Sequence, residues 1–99
     1  MIVRRVRFTE TARDHINLER TWWVTNRDHQ ALFSTEIERA VELLAILPGA
    51  GTSYPGTETV GLRRVVLRKL SCHLYYTFDD DEVIVRAVWG ASREHGPKP

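Results

Sequence analysis

Three β-rich runs lie in close succession near the end of the chain: LRRVVLRK (62–69), HLYYTF (73–78) and EVIVRAVW (82–89). Only Leu70–Cys72 and Asp79–Asp81 separate them. Connectors that short cannot carry a crossover between parallel strands, so the three runs must form an antiparallel meander. A sheet of this kind needs something apolar against one of its faces. The preceding half of the chain supplies it.

Residues 28–47 place Phe33, Ile37, Ala40, Val41, Leu44 and Leu47 at the three-to-four spacing of one helical face, with Glu36, Glu38, Arg39 and Glu42 mainly on the other. Residues 9–26 predict another helix. Thr9 and Thr11 are candidate N-caps, and Ala12, Ile16, Glu19 and Trp23 form its inward stripe, broadened by Trp22. The adjacent Trp22 and Trp23 cannot both face the core centre, so one belongs at the rim. Asn26 or Asp28 ends one helix and caps the next, and the short link makes the pair an antiparallel hairpin. Ahead of them IVRRVRF (2–8) mixes β-branched residues with arginine and reads as a short strand. Between hairpin and meander, PGAGTSYPGTETVG (48–61) is rich in Pro and Gly and reads as loop without a regular element. The order is β-α-α-β-β-β. It predicts an α+β domain in which a helical hairpin packs on a mainly antiparallel four-stranded sheet and leaves the other face open. Residues 1–99 make one domain, with 90–99 a partly flexible tail containing Gly90, Gly96, Pro97 and Pro99.

Composition narrows the function. A lone cysteine, Cys72, allows neither an internal disulfide nor a thiolate metal cluster and fits a reducing, cytoplasmic setting. The longest apolar stretch, from Ala40 to Leu47, falls far short of a membrane span, and the start lacks a signal-peptide core. His15, His29, His73 and His95 show no zinc spacing, so no metal and no cofactor is expected. The glycines of residues 49–56 lack the Lys–Ser/Thr of a phosphate loop. Ser71–Cys72–His73 is no nucleophile–base set, because strand neighbours point to opposite faces; Cys72 reads as structural.

The net charge is only +1, but it is unevenly distributed. Residues 1–8 carry +3, residues 9–47 carry −3 and residues 62–99 carry +2, with four acids gathered in the turn at 79–82. In an ideal strand Leu62, Arg64, Val66 and Arg68 share one side and Arg63, Val65, Leu67 and Lys69 the other. Neither set is cleanly apolar, so a bulge in this strand would reset it. Leu74, Tyr76 and Phe78 form the apolar set of the next strand and His73, Tyr75 and Thr77 the polar one. Arg86 stands alone among apolar residues. Arg64, Arg68, Tyr75 and Arg86 are thus expected to converge on the open face, either as a binding surface or merely to keep that face soluble.

Several spaced motifs give the chain a resemblance to the ParE/RelE superfamily of bacterial toxins, to ParE more than RelE, over essentially its whole length. Glu10–Ile16 (ETARDHI) resembles the opening of the family's first helix. Phe33-x-x-x-Ile37 running to Leu47–Pro48-x-x-Gly51 resembles its second helix and closing Pro-x-x-Gly. Leu62–Arg63–Arg64 resembles the Arg-bearing strand, Leu74–Tyr75–Tyr76 the Tyr-rich central strand, and Val85–Trp89 with Arg93 the terminal strand and its basic exit. Gly90 departs from the pattern, since many relatives carry His there.

The resemblance implies a toxin of a type II toxin–antitoxin system, acting on DNA gyrase by binding and neutralised by a cognate antitoxin with an acidic, amphipathic segment. Target contact is assigned to Arg63, Arg64, Arg68, Arg86, Trp89 and Arg93. Direct nucleic-acid binding is not expected. The alternatives are a RelE-like endoribonuclease acting on ribosome-bound mRNA, with Arg64, Arg86 and His95 as its weak catalytic candidates and Glu58 as a remote one, and a non-toxic relative that serves only as a binding partner.

Overall fold

The chain order seen in the computed structural model, which describes residues 2–26 and 30–90, starts with strand β1 (Arg5–Phe8), helix α1 (Glu10–Asn26) and helix α2 (Gln30–Ile46). A 3-10 turn at Pro48–Ala50 leads to the two-residue strand β2 (Thr52–Ser53). Strand β3 (Arg63–Leu67), a second 3-10 turn at Arg68–Leu70, β4 (Cys72–Phe78) and β5 (Glu82–Gly90) complete the described chain. The sheet order is β1-β5-β4-β3-β2, with β1 parallel to β5 and every other pair antiparallel.

The α+β architecture is the expected one, with a fifth strand added. Residues 48–61 were expected to be irregular throughout; instead Thr52 and Ser53 pair with Arg64 and Arg63. The cause is a side-chain clamp. The buried Tyr76 hydroxyl donates to Pro48 O at 2.6 Å and accepts from Gly51 N at 2.9 Å. Arg63, opposite Tyr76 in the β3–β4 ladder, donates to the carbonyls of Gly49 (3.1 Å) and Gly51. These bonds replace the ladder the turn lacks and hold the segment flat against β3. Only glycine fits at position 51: a Cβ would stand 2.6 Å from the Tyr76 hydroxyl and 2.7 Å from Arg64 O.

The helices cover one face. Ala12, Ile16 and Trp23 of α1 and Phe33, Ile37, Ala40 and Leu44 of α2 meet Leu67, Cys72, Leu74, Tyr76, Val83, Val85 and Val88 of the sheet. Trp23 is buried and Trp22 lies at the rim, its ring edge-on to Trp23. Glu19, on the same stripe, is buried too, with Cys72 Sγ 3.9 Å from its carboxylate. Thr9 is the cap of α1, its hydroxyl accepting from Ala12 N at 3.1 Å.

Where β1 ends, α1 takes over the edge of β5. Thr9 N donates to Val85 O (3.0 Å), Thr9 Oγ1 to Arg86 O (3.3 Å), and Val88 N donates to His15 Nδ1 (3.3 Å). The Val85 and Arg86 carbonyls and the Val88 amide are thereby partnered rather than left as a template for other chains. The acidic turn has its own logic: the Asp79 carboxylate accepts from Asp81 N (2.8 Å) and Glu82 N (2.9 Å), and these bonds hold it below the ordinary carboxylate value.

The clamp yields a prediction. Tyr76→Phe keeps the ring but strands Pro48 O and Gly51 N, at a cost of about 1–3 kcal/mol. For a domain of this size the thermal midpoint should drop by on the order of 10 °C. Gly51→Ala should also destabilise, because the Arg64 carbonyl cannot yield to the new methyl. A Tyr76→Phe protein that melts with the parent would show that the clamp contributes nothing.

Candidate functional site

The face of the sheet away from the helices is built by period-two alternation. On β1, Val6 and Phe8 turn inward, which sends Arg5 and Arg7 outward beside Glu82 and Ile84 of β5. On β4, Leu74 and Tyr76 are inward and His73, Tyr75 and Thr77 outward. Register then places Arg64 opposite Tyr75 and Val66 opposite His73 on β3.

On β5 the alternation breaks once. Tyr75 pairs with Ala87 but Tyr76 pairs with Val85, so Arg86 is an extra, bulged residue. The strand at 62–69, whose mixed pattern left room for a bulge and the facing of its arginines open, has none: β3 runs through in regular register. The effect of the β5 bulge is that Val83, Val85 and Val88 all reach the helical core, while Ala87 joins the opposite face. Arg86 joins that face too, its Nε donating to Thr77 Oγ1 at 2.9 Å.

An aromatic cluster sits beneath the cations. Tyr75, Leu62 and Ala87 are buried in it, with Tyr54 and Trp89 packed against them. The Tyr54 ring meets Tyr75 edge-on at 5.1 Å, and the Arg64 guanidinium lies over Tyr54 at 5.1 Å from its centroid. Trp89 meets the His15 ring edge-on at 5.0 Å. The Tyr75 hydroxyl approaches His73 Nδ1 at 3.5 Å. Burial, then the neighbouring Tyr54, push the Tyr75 phenol above its ordinary 10.0, against the opposing pull of Arg64. Burial, then the Arg64 charge, hold His73 below its ordinary 6.5. Near neutral pH His73 is therefore an uncharged imidazole and Tyr75 an intact phenol.

The residues singled out in the sequence separate into groups. Arg64, Arg86 and Trp89 share the open face. Arg63 does not; it faces the helical side and holds the 48–51 turn, because odd and even positions of β3 point apart. Arg68 is not on a strand at all but exposed in the 3-10 turn that follows β3, so it leaves the expected convergence. Tyr75, assigned to the polar set, is only 3% exposed, whereas Phe78 of the apolar set is 39% exposed at the strand end. Glu58 stays in the exposed part of the loop. Arg93 and His95 lie outside the described residues.

Sequence reasoning missed Tyr54, Arg5 and Arg7 as members of this face. The alternation of Arg5, Val6, Arg7 and Phe8 carried the signal for the arginines, whereas Tyr54 gave none. Among the described residues no group of His, Cys, Asp and Glu is placed to hold a metal, and no helix is long and apolar enough to cross a membrane.

A family model described as the ParE toxin of the type II toxin–antitoxin system parDE matches residues 6–95. No curated protein matches the chain. Several solved structures are similar to it. The chromosomal ParDE toxin–antitoxin system of P. aeruginosa aligns at 17% identity and a TM-score of 0.67 over 89% of this chain and 96% of that one. The RelBE2 toxin–antitoxin complex of Mycobacterium tuberculosis aligns at 23% identity and 0.62, over 89% and 91%. The E. coli DinJ–YafQ toxin–antitoxin complex aligns at 15% identity and 0.66, over 96% and 100%. At these identities the likeness establishes the fold.

The His73 environment sets a pH dependence. Its folded value lies below 6.5, so the neutral form is favoured by folding. Its contribution to stability is complete above pH 6.5 and falls away as the pH drops below that value. An NMR titration of the ring should give a midpoint below 6.5, and Arg64→Gln should move it upward by removing the repelling charge. An unmoved midpoint would show that Arg64 does not act on His73.

Proposed function

Because the chain belongs to the ParE toxin family of type II toxin–antitoxin systems, we propose that it arrests growth by binding DNA gyrase through its open sheet face. A cognate antitoxin neutralises it. The observation that carries the binding reading is the state of the polar groups on that face. Tyr75 is buried under Tyr54, and Arg64 is seated on the Tyr54 ring. Cations are presented, but the acid needed to complete a bond cleavage is covered. Arg64, Arg86 and Trp89 supply the contact surface, and Arg93, outside the described residues, is assigned to target contact from the sequence alone.

The antitoxin reading draws on two further features. Leu18, Trp22, Leu43 and Ile46 on the helices and Leu47 just after α2 leave apolar area exposed, and Arg13 and Arg20 lie beside Ile16 and Ile37. An acidic, amphipathic segment complements both as it folds. The site of action is then the cytoplasm.

One observation favours a second reading. RNA cleavage needs a base for the 2′-hydroxyl, an acid for the leaving 5′-oxygen and a cation for the phosphate. His73 and Arg64 stand together with the protonation states of a base and a cation.

Induced expression should stop bacterial growth, and co-expression of the neighbouring antitoxin should restore it. Purified protein should inhibit gyrase supercoiling. Arg64→Ala and Arg86→Ala should each weaken that inhibition by roughly tenfold, the 1.4 kcal/mol of one lost charge-assisted contact. Site-specific cleavage of ribosome-bound mRNA that disappears in His73→Ala would replace this reading with the nuclease one. Folded protein that leaves both growth and gyrase untouched would make the chain a non-toxic binding partner.

A further inference from the structure

Strand register places Tyr54. Beyond the paired Thr52 and Ser53, its amide donates to Leu62 O at 2.9 Å, so the pairing of β2 with β3 continues one residue further. Thr52 lies opposite Arg64, an open-face residue, and alternation returns Tyr54 to that face. There it stands diagonal to Arg64 across two strands, within reach of a long side chain. Gly56 follows with a φ of 87°, in a bend that ends the strand path.

The ring meets Arg64 and Tyr75 in different ways. The Arg64 guanidinium lies over it at 5.1 Å from the centroid, and Arg64 Nε has no hydrogen-bond partner among the described residues. Arg86 is steered otherwise, by the bond from its own Nε to Thr77. Arg64 lacks that bond and has an aromatic face in its place. A free arginine has many rotamers to lose when it meets a partner, and one already seated loses fewer. The same ring meets Tyr75 edge-on at 5.1 Å, and Tyr75 is buried although its side chain belongs to the open face. The seated charge of Arg64 is also the one that His73 feels.

We propose that Tyr54 is the positioning residue of the open face: its ring pre-sets the Arg64 guanidinium for a target and seals the Tyr75 phenol beneath it. Tyr54 acts through Arg64 and needs no target contact of its own. Its role toward a target rests on the reading of this face as the contact surface. The seat and the seal are properties of the chain by itself.

The test is a cycle of variants: Tyr54→Ala, Tyr54→Phe, Arg64→Gln, and Tyr54→Ala combined with Arg64→Gln. Thermal melts establish that each is folded. Should Tyr54→Ala unfold, Tyr54→Leu, which keeps bulk without an aromatic face, takes its place. By NMR, Tyr54→Ala should raise the His73 midpoint while Arg64 is present, because the freed guanidinium no longer stays near the imidazole. In the Arg64→Gln background the same change should add little, and Tyr54→Phe should keep the parent value. Gyrase inhibition should weaken roughly fivefold in Tyr54→Ala, the ordering cost of one long side chain. It should lose nothing more from Tyr54→Ala once Arg64 is already Gln, and Tyr54→Phe should retain it. Tetranitromethane should nitrate Tyr75 in Tyr54→Ala and spare it in the parent and in Tyr54→Phe.

A His73 midpoint that Tyr54→Ala leaves in place, or moves equally in both backgrounds, overturns the seat. A Tyr75 that stays protected without the ring overturns the seal. Equal loss of inhibition with and without Arg64 makes Tyr54 a contact residue and overturns its positioning role. A parent protein that leaves gyrase untouched, yet shows the expected His73 cycle and nitration pattern, removes only the gyrase reading and supports the seat and the seal.

Discussion

Between Val85 and Ala87, β5 holds one residue more than β4 can match, and much of the molecule is arranged around that surplus. Without the bulge, strict alternation would place Ala87 against the helices and turn Val88 to solvent. With it, Val83, Val85 and Val88 all enter the core, and the two halves of the strand keep their apolar residues on the same side. The extra side chain is an arginine that turns to the open face and binds Thr77. The bulge also lies where β1 stops pairing, at Phe8 and Val85. From there the chain leaves the sheet, and Thr9 and His15 of the helical segment take over the edge of β5. A β-bulge bends its strand and increases local twist, so the place where the sheet turns away is also the place where a helix can lie against its edge.

The neighbouring arginines of β3 show how strictly the pleat divides labour. Arg63 and Arg64 are adjacent, yet one grips the backbone of Gly49 and Gly51 on the helical side and the other lies over Tyr54 on the open side. The two are coupled through the chain between them. By fixing the turn at 48–51, Arg63 and Tyr76 also fix β2, and β2 delivers Tyr54 to the ring that seats Arg64. A residue that points away from the open face thus determines its geometry.

The helices were legible because their apolar stripes recur at a period that only a helix satisfies: Phe33, Ile37, Ala40 and Leu44 are all in the core. The meander was legible from connector length. The parts that escaped are those set by contacts distant in sequence. Nothing local in Thr52–Ser53 signals a strand, since its pairing depends on a phenol 25 residues beyond the preceding Gly51. The bulge could not be located either: the mixed pattern of residues 62–69 left room for one there, whereas an isolated arginine within a run of valines was its actual sign. The candidate face was only half legible for the same reason. Arg64 and Arg86 could be named, but Arg68 left the strand for a 3-10 turn and Tyr54 arrived from a segment read as structureless.

The parallel pairing of β1 with β5 joins residues some 75 positions apart in the chain. During synthesis the first strand emerges long before its only sheet neighbour exists. At the usual pace of translation it waits roughly 4–15 s for β5. The helical hairpin can form in that interval, but the core that buries its apolar stripe cannot close, and Arg86 cannot be brought to the face that carries Arg64. A nascent chain therefore lacks this face until β5 has been made. That leaves time for a partner to be present when the face is first assembled.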